Sequence, residues 1–295
     1  MTTGLVLATE VGDLPIALDG AAAPRTTAAL LACLPLGLDV HCAKIAGNHI
    51  FWHAPFVCEV EAATDVLAVP TGGFLYWPER QFLELVYAPL QAETAAVTVL
   101  GRLDDGLDRL LALGRLVQDV QGHRPVLAEL RAADGVRPSP PPSAHGPLAP
   151  LSDARRALWA ACPEEVDALM ASRGVMHPAG PLLMAEGEAR GVHELLWWHR
   201  RAFLADGTHA HAAAAALALE KAASRIGGFC HLTASAGLLL SAAACLAERS
   251  DHTVAAFDEA ILIAGRLAGW LDLRIPWTAL TEATRTAHDR WSGTA

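Results

Sequence analysis

The segment Gln81-Phe-Leu-Glu-Leu-Val-Tyr87 sets one carboxylate, Glu84, inside a run of apolar, strand-favouring residues. Strand alternation puts Phe82, Glu84 and Val86 on one face and Leu83, Leu85 and Tyr87 on the other, so Glu84 has apolar neighbours whichever face is buried. Burial raises a carboxyl pKa towards neutrality and suits it to general acid-base work; on an open face the same residue is only a solvated strand position. In Asn48-His-Ile-Phe-Trp-His53, His49, Phe51 and His53 share a face, where two imidazoles can shuttle protons or simply line a rim. Lys44 and, four residues on, Asn48 are candidates for substrate binding, with Lys44 a clamp for a carboxylate or else a surface lysine. Tyr76 and Trp77 offer rings on which an aromatic substrate could stack.

A second group lies in Glu186-Gly-Glu-Ala-Arg-Gly-Val-His-Glu-Leu-Leu-Trp-Trp-His-Arg-Arg-Ala-Phe203, which has helical periodicity. Val192, Leu196, His199 and Phe203 make an apolar stripe that takes in His199, and Arg190, His193 and Trp197 make its neighbour. The two stripes read either as a helix closing over a binding site or as core packing with satisfied histidines. Metal binding has little support: His193 and His199 are six apart, where two ligands on one helix face need a spacing of four. His209 and His211 read as a surface pair. No phosphate-binding loop, dinucleotide fingerprint or serine elbow occurs, and the candidate chemistry calls for no cofactor.

These groups sit in a chain of 295 residues with a formal net charge of -10, which disfavours nucleic acid as a partner because phosphate binding needs clustered Lys and Arg. The six cysteines show no ligand spacing and read as free thiols of a reducing compartment, hence the cytoplasm. The opening residues lack a basic region and meet Glu10 and Asp13 too early for a secretory signal. His231 to Ala247 is the longest apolar run, short for a membrane span and rich in small residues, so it is expected to be a buried or interface helix of a homo-oligomer rather than a membrane contact.

Prolines at 138, 140, 141, 142, 147 and 150 divide the chain. The expected organisation is a β domain with a linking helix over 1–118, a linker over 119–150 and a helical bundle over 151–295. The first part reads as seven short strands (4–10, 14–19, 49–55, 57–62, 74–78, 81–87 and 97–103) of a barrel or sandwich, with helices at about 24–34 and after Asp104 and Asp105. The last part reads as helices over about 153–172, 186–205, 210–226, 231–249, 253–272 and 277–291, giving an α+β protein.

Three stretches carry a resemblance. Ala23-Pro-Arg-Thr-Thr-Ala-Ala-Leu-Leu-Ala-Cys-Leu-Pro-Leu36, Ala43-Lys-Ile-Ala-Gly-Asn-His-Ile-Phe-Trp52 and Gly72-Gly-Phe-Leu-Tyr-Trp-Pro78 resemble, in order and spacing, the first helix, the following strand and a later turn of small bacterial cyclophilin-like barrels. Asn48 stands where those proteins usually carry an acid. Such a barrel followed by a helical bundle is similar to the cucumopine synthase family of Pictet-Spengler enzymes. The resemblance implies condensation of an amine, such as histidine or a related arylethylamine, with a 2-oxo acid or aldehyde. Under it Glu84 is the acid-base group with His49 or His53 assisting, and Lys44, Asn48, Tyr76, Trp77, Arg190, His193, Trp197 and His199 serve binding. A non-catalytic small-molecule binding module and a lactam- or amide-processing enzyme are the alternatives.

Overall fold

In the computed structural model, which describes residues 4–45, 47–91, 94–135, 146–172, 174, 177 and 179–293, the short apolar runs fold as strands. They are β1 (Gly4–Thr9), β2 (Gly12–Leu18), β3 (Leu36–Cys42), β4 (His49–His53), the two-residue β5 (Thr64–Asp65), β6 (Gly73–Trp77), β7 (Phe82–Val86), β8 (Ala96–Leu103) and β9 (Val126–Ala132). Their order is β2-β1-β9-β3-β4-β7-β6-β8-β5, and β2 also pairs β8, so all but β5 close an antiparallel barrel. The expected barrel is therefore present. Two of its strands, β3 and β9, fall where the sequence suggested none, and Val57 to Ala62, expected as a strand, forms none.

Strand β9 identifies the inside. Val126, Leu130 and Ala132 are buried, whereas Leu127 and Glu129 between them are exposed. Register carries that parity round the barrel: Leu130 lies opposite Leu7 and Leu36, and Val126 opposite Val40. Two residues on, Cys42 faces Ile50, Ile50 faces Leu85, and Leu85 faces Phe74. These residues fill the interior. His41, Phe51, Glu84 and Leu75 alternate with them and so belong to the outer face, yet every residue of β4, β6 and β7 is buried on both faces.

Helix α1 (Pro24–Ala32) starts without a capping side chain of its own. Glu61 replaces one from a distant loop: its carboxylate accepts from the Arg25 and Thr26 backbone N–H groups at 3.2 and 2.7 Å, from the Thr26 hydroxyl at 2.7 Å and from Arg25 Nε at 3.1 Å. Helix α2 (Leu107–Val120) buries Leu110, Leu113 and Val117 and leads into β9, not into a linker.

The remaining helices are α3 (Ala149–Ala160), α4 (Glu164–Ala171), α5 (Ala179–Asp206), α6 (Ala210–Cys230), α7 (Thr233–Ala247), α8 (Thr253–Arg274) and α9 (Trp277–Ser292). The helix expected over 153–172 is divided at Cys162–Pro163, because proline cannot donate to the preceding turn. Helix α6 packs against α5 and α7 through Ala212, Ala215, Ala216 and Ala223, whose small side chains allow close approach. The apolar run behind the oligomer expectation thus buries Ala236, Leu239, Ala242 and Leu246 within its own chain. No helix among the described residues is long and apolar enough to cross a membrane.

The chain divides into two units, one of Met1–Ala54, Cys58–Pro141 and Leu273–Ala295, the other of Pro55–Val57 and Pro142–Asp272. This differs from the expected division at both ends. The region 119–150 contributes β9 to the barrel, with prolines 138 to 142 lying outside the described residues. The last 23 residues, from Leu273 onwards, join the barrel unit instead of completing a bundle over 151–295. Two contacts explain it: Thr278 Oγ1 donates to the Gln118 carbonyl at 2.8 Å, and Gly122, at φ +84°, lies so close to Ile275 and Pro276 that a Cβ there would overlap their backbone.

Candidate active site

Glu84 occupies the middle of β7, directly opposite Phe51 of β4 and Leu75 of β6. Along its own strand the same face carries Phe82 and Val86, and these four side chains join Trp77, Val66, Val69 and Val97 in one apolar cluster. The carboxyl is 0% exposed, and both of its oxygens lack a hydrogen-bond partner among the described residues. Desolvation therefore favours the protonated form and pushes its pKa up to about 8, with the Arg80 charge opposing only part of the rise. An acid in this state holds its proton at neutral pH and still lies within reach of releasing it.

The register settles which strand faces meet. His49 lies opposite Val86 and His53 opposite Phe82, so both imidazoles share the face of Glu84 and stand diagonally on either side of it. His49 Nε2 is 3.7 Å from Glu84 Oε2. Burial, aided by the Lys44 charge and opposed by the Gly47 backbone, lowers the His49 pKa to about 4, so neutral imidazole faces neutral carboxylic acid near pH 7. Sequence reasoning missed His41, on β3 opposite Phe51, although its alternation with the interior Val40 and Cys42 was readable. Its ring stacks on Phe51 at 4.9 Å and meets His53 edge-on at 5.3 Å. Phe51 also stacks on Phe82 at 4.0 Å, and His53 meets Phe82 edge-on at 5.0 Å. The face around Glu84 is thus paved with flat rings.

Lys44 follows β3 and reaches this face: its Nζ lies 5.4 Å from the centre of the Phe51 ring and 5.9 Å from that of Trp277. The other barrel candidates separate. Trp77 lies opposite Phe82 on the Glu84 face, with the Arg80 guanidinium 5.8 Å from its ring. Tyr76, one residue away, points to the barrel interior opposite Leu83 and accepts the Cys58 N–H at 3.3 Å, so the two rings expected to receive an aromatic substrate are split between two faces. Asn48, at φ +29°, shapes the turn before β4: its side chain donates to the Pro89 carbonyl at 2.5 Å and its own carbonyl accepts from Tyr87 N at 2.8 Å. Those bonds brace the turn and account for its side chain.

The four α5 candidates belong to the helical unit. Arg190 Nε donates to Glu186 Oε1 at 2.5 Å, one turn back. Trp197 is buried with the guanidinium groups of Arg200 and Arg201 5.8 and 5.6 Å from its ring. The buried histidine of this helix is His193, whereas His199, expected inside an apolar stripe, is only partly buried beside His211, with ring centres 6.0 Å apart. The helix buries the stripe of Ala189, Val192, His193, Leu196, Trp197 and Arg200, rotated by about one residue from the face periodicity suggested.

No family model matches the chain, and no curated protein matches it. Among solved structures it is similar to McbB in complex with tryptophan, with a TM-score of 0.76 and 19% identity over 95% of this chain and 99% of that one. The solution structure of the hypothetical protein AF2241 from Archaeoglobus fulgidus overlaps 45% of this chain and 95% of its own at 18% identity and a TM-score of 0.34. The likeness to McbB is one of fold and extends through the barrel and the helices alike.

Proposed function

We propose that the chain condenses an amino acid bearing an electron-rich aromatic ring with a 2-oxo acid or aldehyde and closes the new ring by a Pictet-Spengler reaction. The observation that carries the reading is Glu84: a fully buried acid with no hydrogen-bond partner among the described residues and a pKa of about 8, set in a face of aromatic rings. Such a group is held ready for proton transfer instead of being used up in the fold.

The reaction needs one proton given and one taken. The substrate amine adds to the carbonyl, and the resulting carbinolamine loses its hydroxyl as water when the protonated Glu84 supplies the proton. The iminium left behind is attacked by the aromatic ring, forming the carbon-carbon bond. Glu84, now a carboxylate, removes the proton from that ring carbon and regains its starting state. Neutral His49, 3.7 Å away, and His53 assist by relaying protons to and from it. Lys44 holds the amino-acid carboxylate, and Trp77 with Phe51 and Phe82 forms the wall against which the aromatic ring rests. Tyr76, Asn48 and the α5 residues have no part in this scheme.

The aromatic, apolar paving suits an indole better than the more polar imidazole, and the structural neighbour was solved with tryptophan bound. Tryptophan is therefore the preferred amine and histidine the second. The test is mass spectrometry of the purified protein incubated with each amine and a panel of 2-oxo acids and aldehydes. Expected is a product at the sum of the two masses less one water. Tryptophan bound without any such product would make the chain a binding protein and end the catalytic reading.

A further inference from the structure

Lys44 and Trp277 are far apart in the chain, yet both are fastened to the turn that ends α2. On one side the Cys42 backbone N–H and thiol, two residues before Lys44, donate to Gln121 Oε1 at 3.5 and 2.8 Å. On the other, Thr278 Oγ1 donates to the Gln118 carbonyl at 2.8 Å and Gly122 abuts Ile275 and Pro276. One turn thus fixes the spacing between the strand that carries Lys44 and the helix start that carries Trp277. The Lys44 ammonium lies 5.4 Å from the Phe51 ring centre and 5.9 Å from that of Trp277. A four-carbon stem alone leaves an ammonium mobile, and two ring faces that attract it narrow its range.

We infer that Trp277 is a positioning residue: with Phe51 it holds the Lys44 ammonium where it meets the substrate carboxylate, so the C-terminal helix completes a site otherwise built on the barrel. The carboxylate half of this inference rests on the proposed function; the positioning half stands on the geometry alone, and the experiment reads them separately. The chain has only two lysines, Lys44 and Lys221, so reductive methylation with ¹³C-formaldehyde gives two lysine dimethyl signals, which Lys221→Arg assigns. Ring currents displace the Lys44 signal upfield of the Lys221 signal. Trp277→Leu moves it back towards the Lys221 position and Trp277→Phe leaves most of the displacement in place. A Lys44 signal unmoved by Trp277→Leu, in protein whose circular dichroism is unchanged, overturns the positioning role whatever the activity.

The kinetic arm compares tryptophan with tryptamine, which lacks the carboxylate. Trp277→Leu should raise KM for tryptophan about tenfold with kcat within about twofold, leave KM for tryptamine unchanged, and be largely rescued by Trp277→Phe. An equal rise for both amines overturns the link to the carboxylate. If the unmutated protein turns over neither of these amines nor histidine, the proposed function fails, and the Lys44 signal still decides the positioning role.

Discussion

Among the described residues the barrel unit buries two glutamates and treats them in opposite ways. Glu61 receives four hydrogen bonds at the start of α1; burial alone would raise its carboxyl, but the Thr26 and Arg25 donors outweigh that and bring it down to about 2. Glu84 receives none among the described residues and stands at about 8. The same side chain on the same barrel thus serves once as a permanent anion tying a loop to a helix and once as an acid that keeps its proton. Glu84 is the more deeply enclosed of the two, at 0% exposure against 9% for Glu61, and its lack of donors among the described residues marks it as the residue whose charge the fold leaves unsettled.

Glu84→Gln keeps shape and packing but takes no part in proton transfer, so turnover should fall by about 10²-fold or more in a variant that still folds. Full activity in this variant would reduce Glu84 to a packing residue.

The next effect is on stability against pH. The unfolded chain releases the Glu84 proton near 4.5 and the folded protein near 8, so the folded state binds more protons in between and stability falls as pH rises through that interval. His49 works the other way between 6.5 and about 4, where the unfolded state binds more protons and stability rises with pH. Of this pair only Glu84 acts from 6.5 to 8. Urea unfolding should show stability falling across that window in the unmutated protein and level in Glu84→Gln. Parallel curves for the two proteins would contradict the raised pKa.

Glu61→Gln should do the converse: a loss of about 2 kcal/mol in unfolding free energy with kcat unchanged, since it removes charge-assisted acceptors at a helix start but no reacting group. Its sign is opposite too. The depressed pKa makes the Glu61 contribution full above about 4.5 and lost as pH falls towards 2, so the variant and its parent should converge in acid. The smallest effect is expected from Tyr76→Phe, which drops the bond from Cys58 N on the interior face. About 1 kcal/mol of stability should go, and activity should stay. A large loss of activity there would put Tyr76 back in the site.

Local pattern in the sequence sufficed for the strands-then-helices order, for the alternation that isolates Glu84, and for His49 and His53 sharing a face, while the choice of a barrel over a sandwich came from the resemblance of its motifs. It could not say that those two faces are one, because the opposition of Phe51 and Glu84 is a register between strands some thirty residues apart. Trp77 and Tyr76 illustrate the same limit: adjacency in sequence suggested a shared role that strand alternation forbids. Strand β9 was partly readable, since Ala128, Leu130 and Ala132 alternate with Glu129 and Arg131, but Leu127 interrupts the pattern and the nearby prolines drew the whole region into a linker. Nothing local marks Trp277 as a neighbour of Lys44; that proximity arises only when the turn after α2 gathers both.

Strand β9 is the last of the barrel to be synthesised and inserts between β1 and β3, which are made first and third. Until the ribosome has passed Ala132, both strands keep a row of backbone N–H and C=O groups open to any passing extended chain. A fragment cut at residue 118, where the sequence seemed to end the barrel, would be arrested in that sticky intermediate and should aggregate on expression. One carried past Ala132 can seal its own seam.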